Sequence, residues 1–430
     1  MKKVIIIHYH LNPGGVTGII ESQVKALKEH DPGLNISIYT AGGSLTELLS
    51  KTGADIKIES YLDYLYEDKD FHDEYLLLNG FFTSLLKKGS ILHMHNPNLG
   101  KNPILTYKLY QLSEEGFPLV YHLHDFIEDR PSNYTYTKKV LLSFTKENLK
   151  KILYPGGLHT EYVVLTNYDR KRLLDYGIDG HRISVVPNPV EPAMEILPSR
   201  NLAKQHVAEK LNIDAAKKLI TYPVRVIQRK NIGEYILFCH LFSSQANWLV
   251  TMPPKNPAEY GMYAEWKKFC AGREIPLIFD AGSKVDYKIL MQASDFCFTT
   301  SIREGFGMAF TEPWMFGVPV IGRRLNNIIP DLEKSGMVFP LLYNSVMVNY
   351  NGISTDFASM DISGQMNYID SLLSNSSLKG ELLKSNPVIN DLFNSVDDSI
   401  VDNNKKVILT EFSLKKYAER LNTIYQKITC

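Results

Sequence analysis

The sequence predicts an α/β protein built as two Rossmann-like domains, and three observations carry that expectation. The chain has 430 residues, more than one hydrophobic core ordinarily serves, so two domains of about 200 residues each are expected. Apolar runs alternate with helical stretches, the pattern that builds parallel sheets covered by helices. That alternation starts twice, at Lys3 and again at Lys218, on either side of a stiff stretch carrying Pro187, Asn188, Pro189, Pro192 and Pro198. The expected division is residues 1–195, residues 196–409, and a C-terminal helix over 410–430 free to cross back to the first domain.

Composition narrows the function. Lys plus Arg and Asp plus Glu both number 47, leaving no formal net charge. A nucleic-acid binder should show a basic excess, so that class is disfavoured. Cys239, Cys270, Cys297 and Cys430 show no CxxC or CxxH spacing, which argues against a zinc site and a disulfide framework and fits a reducing, cytoplasmic setting. The N-terminal MKKVIIIHYH has an apolar run only from Val4 to Ile7. That is far short of a signal core or of the roughly 20 residues that cross a bilayer.

In the first half, a strand is expected at Lys3 to Tyr9, a loop with Asn12, Gly14 and Gly15, a helix from Thr17 to Glu29 and a strand at Asn35 to Tyr39. Ligands of parallel sheets sit at the carboxyl ends of strands, which makes the His10–Gly18 loop a candidate wall. The glycines lack the G-x-G-x-x-G spacing, and no acidic residue ends the second strand, which counts against a dinucleotide fingerprint. Residues 60–90 read as helical. Within them Asp68-Lys69-Asp70 has the DxD form of some metal-dependent transferases, but a solvated charge cluster explains it better. Strands at Ser90–His95 and Leu119–Leu123 bring His95 and His124 to the ligand side, with Asp125 as an orienting partner for His124. Residues 138–153 read as one lysine-rich amphipathic helix, a solvated face rather than a membrane anchor.

The second half repeats the grammar, with strands at Lys218–Val224, Trp248–Met252 and Pro276–Asp280 and helices at Asn231–Phe242 and Val285–Ala293. Arg225 and Lys230 follow its first strand, a fork and a point charge suited to a diphosphate. Then comes TTSIREGFGMAFTEPWMFGVPVIGR, from Thr299 to Arg323. A strand runs into a turn holding Glu304, Gly305, Phe306 and Gly307. A short helix carrying Glu312 follows, ended by Gly317 and Pro319. Two carboxylates beside a glycine-rich helix start suit a ligand with anionic and polyhydroxyl parts, such as a nucleotide sugar.

Taken together, these residues resemble glycosyltransferase family 4, the retaining transferases of the two-domain GT-B fold, whose parallel sheets face across a cleft. Glu304 to Glu312 fits the family's E-x7-E motif, and Gly317 to Ile321 its following G-x-P-V-I strand. Arg225 with Lys230 fits its diphosphate pair, Gly14-Gly15 its glycine loop, and Val120 to Asp125 the strand bearing its active-site histidine. Two departures stand out. Arg323-Arg324 occurs where the family often has Gly-Gly, and these arginines either reach an anionic ligand group or form structural salt bridges. Pro223 replaces a common glycine.

The resemblance implies a retaining hexosyltransferase moving sugar from a UDP- or GDP-sugar co-substrate to a hydroxyl acceptor: a small glycoside, a sugar acid, a polysaccharide or a lipid carrier. His124, Arg225, Lys230 and Glu304 would be catalytic, with Glu304 on sugar hydroxyls. Gly14, Gly15, Gly305, Phe306, Gly307 and Glu312 would join Arg225 and Lys230 in holding the donor, with Glu312 on the ribose. Asn12, Val16, Thr17 and His95 would line the acceptor side. No tightly bound cofactor and no metal is expected, since the cations do a divalent ion's work. The same fold serves sugar phosphorylases and nucleotide-sugar epimerases, which remain alternatives, as does a non-enzymatic sugar-binding scaffold.

Overall fold

A computed structural model describes residues 3–43, 53–66, 70–86, 89–192 and 197–428. The chain forms two compact units, one of Met1–Glu191 with Thr410–Cys430 and one of Pro192–Leu409.

The first unit runs β1 (Lys3–Ile7), α1 (Gly15–His30), β2 (Asn35–Thr40), β3 (Asp55–Ile58), α2 (Phe71–Leu85), β4 (Ser90–His95), α3 (Pro103–Glu114), β5 (Leu119–Leu123), α4 (Pro131–Phe144), α5 (Leu149–Leu153), β6 (Thr160–Val164), α6 (Asn167–Asp175) and β7 (Ile183–Val185). Its sheet has the order β3-β2-β1-β4-β5-β6-β7, with every pairing parallel. Strands such as KVIII in β1 are apolar and buried after their first residue because helices cover both faces.

The second unit runs α7 (Arg200–Leu211), β8 (Lys218–Arg225), α8 (Ile232–Phe242), β9 (Ala246–Met252), α9 (Tyr260–Gly272), β10 (Leu277–Ile278), α10 (Tyr287–Ala293), β11 (Phe296–Thr299), α11 (Glu312–Met315), β12 (Val320–Arg323), α12 (Ile329–Lys334), β13 (Leu342–Tyr343), β14 (Met347–Tyr350), β15 (Ile353–Asp356), α13 (Ile362–Ser374), α14 (Ser376–Ser385) and α15 (Asp398–Glu411). Its parallel sheet has the order β10-β9-β8-β11-β12-β13, and β14-β15 is a separate hairpin. Tyr235, Phe238, Trp248 and Phe298 fill one face of that sheet.

A last helix, α16 (Leu414–Lys427), packs on α1 in the first unit. Tyr417, Ala418, Leu421, Ile424 and Tyr425 form its buried face. The helix expected over 410–430 is, among the described residues, the end of α15 plus α16, with Ser413 between them capping the Lys416 N–H. The single helix expected over 138–153 is likewise two, α4 and α5. Its pattern breaks at Thr145, and Asn148 caps α5 through the Lys150 N–H. The strand expected at Pro276–Asp280 shrinks to Leu277–Ile278, and residues 60–90 hold one long helix, α2. Asp68 and Lys69 of the DxD sequence lie outside the described residues, while Asp70 caps α2 through the His72 and Asp73 N–H groups. No helix among the described residues is long and apolar enough to cross a membrane.

Candidate active site

In an open parallel sheet the natural crevice lies where the strand order reverses, beyond the carboxyl ends of the two strands that flank the reversal. In the second unit that point falls between β8 and β11. The loops leaving these strands carry Arg225 to Asn231 and Thr300 to Gly307, so topology alone brings the expected diphosphate residues to the E-x7-E turn.

Lys230 Nζ forms an ion pair with Glu304 Oε1, both side chains buried. Glu304 also accepts from Ser301 Oγ at 2.8 Å and from Arg229 Nη1 at 3.2 Å. The Lys230 backbone is pinned by Thr300 Oγ1, which donates to the carbonyls of Lys230 (3.0 Å) and Asn231 (2.8 Å), and by the Tyr222 hydroxyl. Asn231 takes a left-handed conformation (φ 54°), which its short polar side chain tolerates. Arg225 lies half-buried at the end of β8, where burial pushes its pKa down. Lys255, beyond β9, is pushed down by burial and by the Arg225 charge.

The turn after Glu304 is tight. Gly307 has φ 77°, and a Cβ there would sit 2.8 Å from the Phe310 ring. Asn327 Nδ2 donates to the Glu304 carbonyl at 2.9 Å. Phe306 is buried and Gly305 half-buried. Glu312 opens α11, where burial pushes its carboxyl up to about 7 and the Tyr287 hydroxyl, 3.5 Å away, pulls it back.

Arg323 does not face this crevice. Its guanidinium is buried against Glu234 and Asp356, with Nη1 to Asp356 at 2.7 Å and Nε to Glu234 at 3.2 Å, while the Tyr343 hydroxyl donates to Glu234 at 2.7 Å. Arg324 pairs with Glu333 at 2.6 Å. Both arginines thus serve structure, the second of the two readings their sequence allowed.

In the first unit the order reverses between β1 and β4. Gly14 and Gly15 open α1 and are exposed, and a Cβ at Gly15 would meet nothing within 4 Å, so the helix N-terminus is accessible. Asn12 is exposed and Val16 half-buried. Thr17 is buried, its hydroxyl donating to the Asn12 carbonyl at 2.7 Å, so it shapes the loop instead of facing an acceptor. A cavity of ≈ 330 Å³ lies beside this loop, lined by His10, Asn12, Gly42, Gly43, Asp63 and Tyr64 among others.

The histidines differ most from expectation. His95 has no exposed surface; it bonds to His124 Nε2 (2.8 Å) and Gln23 Oε1 (2.8 Å), which removes it from the acceptor wall. His124 is half-buried and stacked on His122 and His95, with ring centroids 4.3 and 5.1 Å away. Asp125, expected to orient His124, instead pairs with Arg130 at 3.1 Å. Burial pushes the His124 and His93 pKa values down to about 3 and that of His8 to about 4, so all three rings are neutral. Nitrogens of His93, His95 and His122 lie within 4.8 Å of one another, close enough for a metal. However, His93 is bonded to the Tyr425 hydroxyl at 2.8 Å and to His122 at 3.1 Å, and His95 to His124 and Gln23.

Sequence reasoning overlooked Arg229, Ser301, Tyr287 and Gln23. Arg229 adjoins Lys230 and could have been noted. Gln23 sits inside an apolar helix pattern, where a lone amide facing the core is the signal.

Two parallel-sheet α/β units with a cationic switch point define the class: a GT-B glycosyltransferase fold. Solved structures of that class align over nearly the whole chain. A glycosyltransferase from Rickettsia africae aligns with TM-score 0.63 at 15% identity, covering 99% of this chain and 98% of that one. Anabaena Alr3699/HepE in complex with UDP and glucose aligns with TM-score 0.61 at 13% identity, covering 99% and 100%. Residues 204–378, in the second unit, match the family described as glycosyl transferases group 1. A curated relative, the mannosylglucosyl-3-phosphoglycerate synthase of Petrotoga mobilis, is 28% identical over 351 residues, covering 78% of this chain and 67% of the relative.

Proposed function

We propose that this glycosyltransferase moves a hexose from a nucleotide-diphosphate sugar to a hydroxyl of an anionic sugar-acid acceptor, with retention of anomeric configuration. The buried Lys230–Glu304 pair at the β8/β11 switch point carries the reading. It joins a cation suited to the diphosphate and a carboxylate suited to sugar hydroxyls at one place, with Arg225 and Arg229 on the same loop. The UDP and glucose named with the Anabaena structure support the donor class. The phosphoglycerate in the relative's name supports an acidic acceptor.

In this reaction the bond from the anomeric carbon to the diphosphate breaks, and one to the acceptor oxygen forms on the same face. The acceptor's proton passes to the departing phosphate oxygen. Charge builds on the diphosphate, so fixed cations lower the barrier without reorganising. Arg225 and Lys230, with the N–H groups of Gly305 to Gly307, supply that field. Glu304 orients sugar hydroxyls, Glu312 the ribose, and His124 a further sugar hydroxyl.

The test incubates the full chain with UDP- and GDP-hexoses and glycosyl-phosphoglycerate acceptors, reading nucleoside diphosphate release and the anomeric proton of the product by NMR. An α-linked product from an α-linked donor is expected. Sugar 1-phosphate release driven by inorganic phosphate, or donor conversion with no acceptor present, would replace this reading with a phosphorylase or an epimerase.

A further inference from the structure

Buried beneath His124 is a branched chain of hydrogen bonds reaching from α1 to the C-terminal helix. Gln23, 0% exposed, stands at its fork. Its Oε1 lies 2.8 Å from His95 Nε2, and its Nε2 lies 3.1 Å from the Tyr425 hydroxyl and 3.3 Å from the His93 ring. A carbonyl oxygen only accepts, so His95 carries its proton on Nε2. A neutral imidazole holds one proton, which leaves His95 Nδ1 as an acceptor. His95 Nδ1 then takes its bond from His124 Nε2–H at 2.8 Å. His124 is thereby left with a bare Nδ1, to which no described residue bonds. The other branch has the same polarity. Tyr425 accepts from the Gln23 amide and donates to His93 Nδ1, and His93 Nε2–H donates to His122 Nδ1 at 3.1 Å.

We infer that Gln23 and His95 are positioning residues that fix His124 as its Nε2–H tautomer and present Nδ1 as a hydrogen-bond acceptor to a substrate hydroxyl. Tyr425 completes the device by orienting the Gln23 amide, so α16 sets the polarity of a site residue just beyond β5. The stacked rings of His122 and His95 add to this by holding the His124 plane. Held this way, His124 receives a hydroxyl proton and has none to give to a leaving group. The substrate half of this inference rests on the transfer proposed above; the tautomer half does not.

Selective 15N-histidine labelling of the full chain, with the His124 signals assigned by their loss in His124→Gln, reads the tautomer without any substrate. The expected spectrum shows His124 protonated at Nε2 and bare at Nδ1. A proton on Nδ1, the result of a reversed Gln23 amide, overturns the inference. In Gln23→Met the His95 and His124 tautomers should redistribute and kcat should fall about tenfold, the equivalent of one misaligned neutral hydrogen bond, with nucleotide affinity unchanged. Gln23→Glu keeps an acceptor facing His95 and should restore both tautomer and rate. Unchanged tautomers in Gln23→Met would show that Gln23 does not set them. Redistributed tautomers with an unchanged kcat would remove His124 Nδ1 from the reaction and leave the hydrogen-bond chain standing.

Discussion

Lys230 and Glu304 neutralise each other in the free protein, and that pairing has a kinetic consequence. If the proposed donor binds as described, its diphosphate competes with Glu304 for Lys230, and Glu304 turns to the sugar. Lys230→Ala is therefore expected to lower turnover on the order of 100-fold or more. A near wild-type rate with a verified donor would sink the diphosphate assignment. Arg323 makes the opposite kind of ion pair, walled off from ligand by Glu234, Asp356 and Tyr343. Removing one partner of a buried network strands the other charges, so Arg323→Ala should cost about 3–5 kcal/mol in the second unit's denaturant transition. Glu312 offers a pH test. Its folded pKa, about 7, lies above the ordinary 4.5. Stability from its protonated form is therefore fully present below about pH 4.5 and is lost as pH rises through 7. Ribose hydroxyls donate to a carboxylate, so nucleotide affinity should rise with pH across that window. Isothermal titration from pH 5.5 to 8 checks it; a slope that persists in Glu312→Gln assigns the effect elsewhere.

Turns and caps, more than the strands, decide where the site residues fall. Gly307 holds φ 77° against the Phe310 ring, so Gly307→Ala adds both backbone strain and a clash. A loss of about 1–2 kcal/mol is expected from the left-handed conformation alone. Because Glu304 and Glu312 flank that turn, nucleotide affinity should fall with it. A variant with normal nucleotide affinity would show that the turn does not set the carboxylates. The strands were legible because largely apolar runs such as SILHMH and LVYHL lead into polar residues, Asn96 and His124; β4 and β5 lie at Ser90–His95 and Leu119–Leu123, as read. The divided helices were not legible, since one capping side chain at Asn148 or Ser413 outweighs a continuing helical pattern. Nor was the Arg323 network, whose partners Glu234 and Asp356 lie 89 and 33 positions away. The histidine chain has the same cause: His95 and His124 stood out as strand ends, but their link to Gln23 needs α1 folded over the sheet.

At the scale of the whole molecule, the burial of histidines on one side makes the two units unequal in acid. His8, His93 and His124 all belong to the first unit, and their folded pKa values of about 4, 3 and 3 lie below the ordinary 6.5. Burial is the largest cause for each, and neighbouring rings add to it at His8 and His124. Between pH 6.5 and about 4 the unfolded chain takes up protons on these groups that the folded unit refuses. Stability is then complete above pH 6.5 and falls on acidification, by about 1.4 kcal/mol per pH unit for each histidine still neutral in the fold. In the second unit Glu312 works in the reverse sense, its protonated form becoming more favourable as pH drops. Denaturant melts from pH 7.5 to 4.5, followed by hydrogen exchange resolved to peptides, should show β4, β5 and α16 losing protection before β8, β11 and α8. The first unit's unfolding should also be accompanied by net proton uptake near pH 5.5. Equal loss of protection in both units, or no proton uptake, would mean that the buried rings are compensated elsewhere in the first unit.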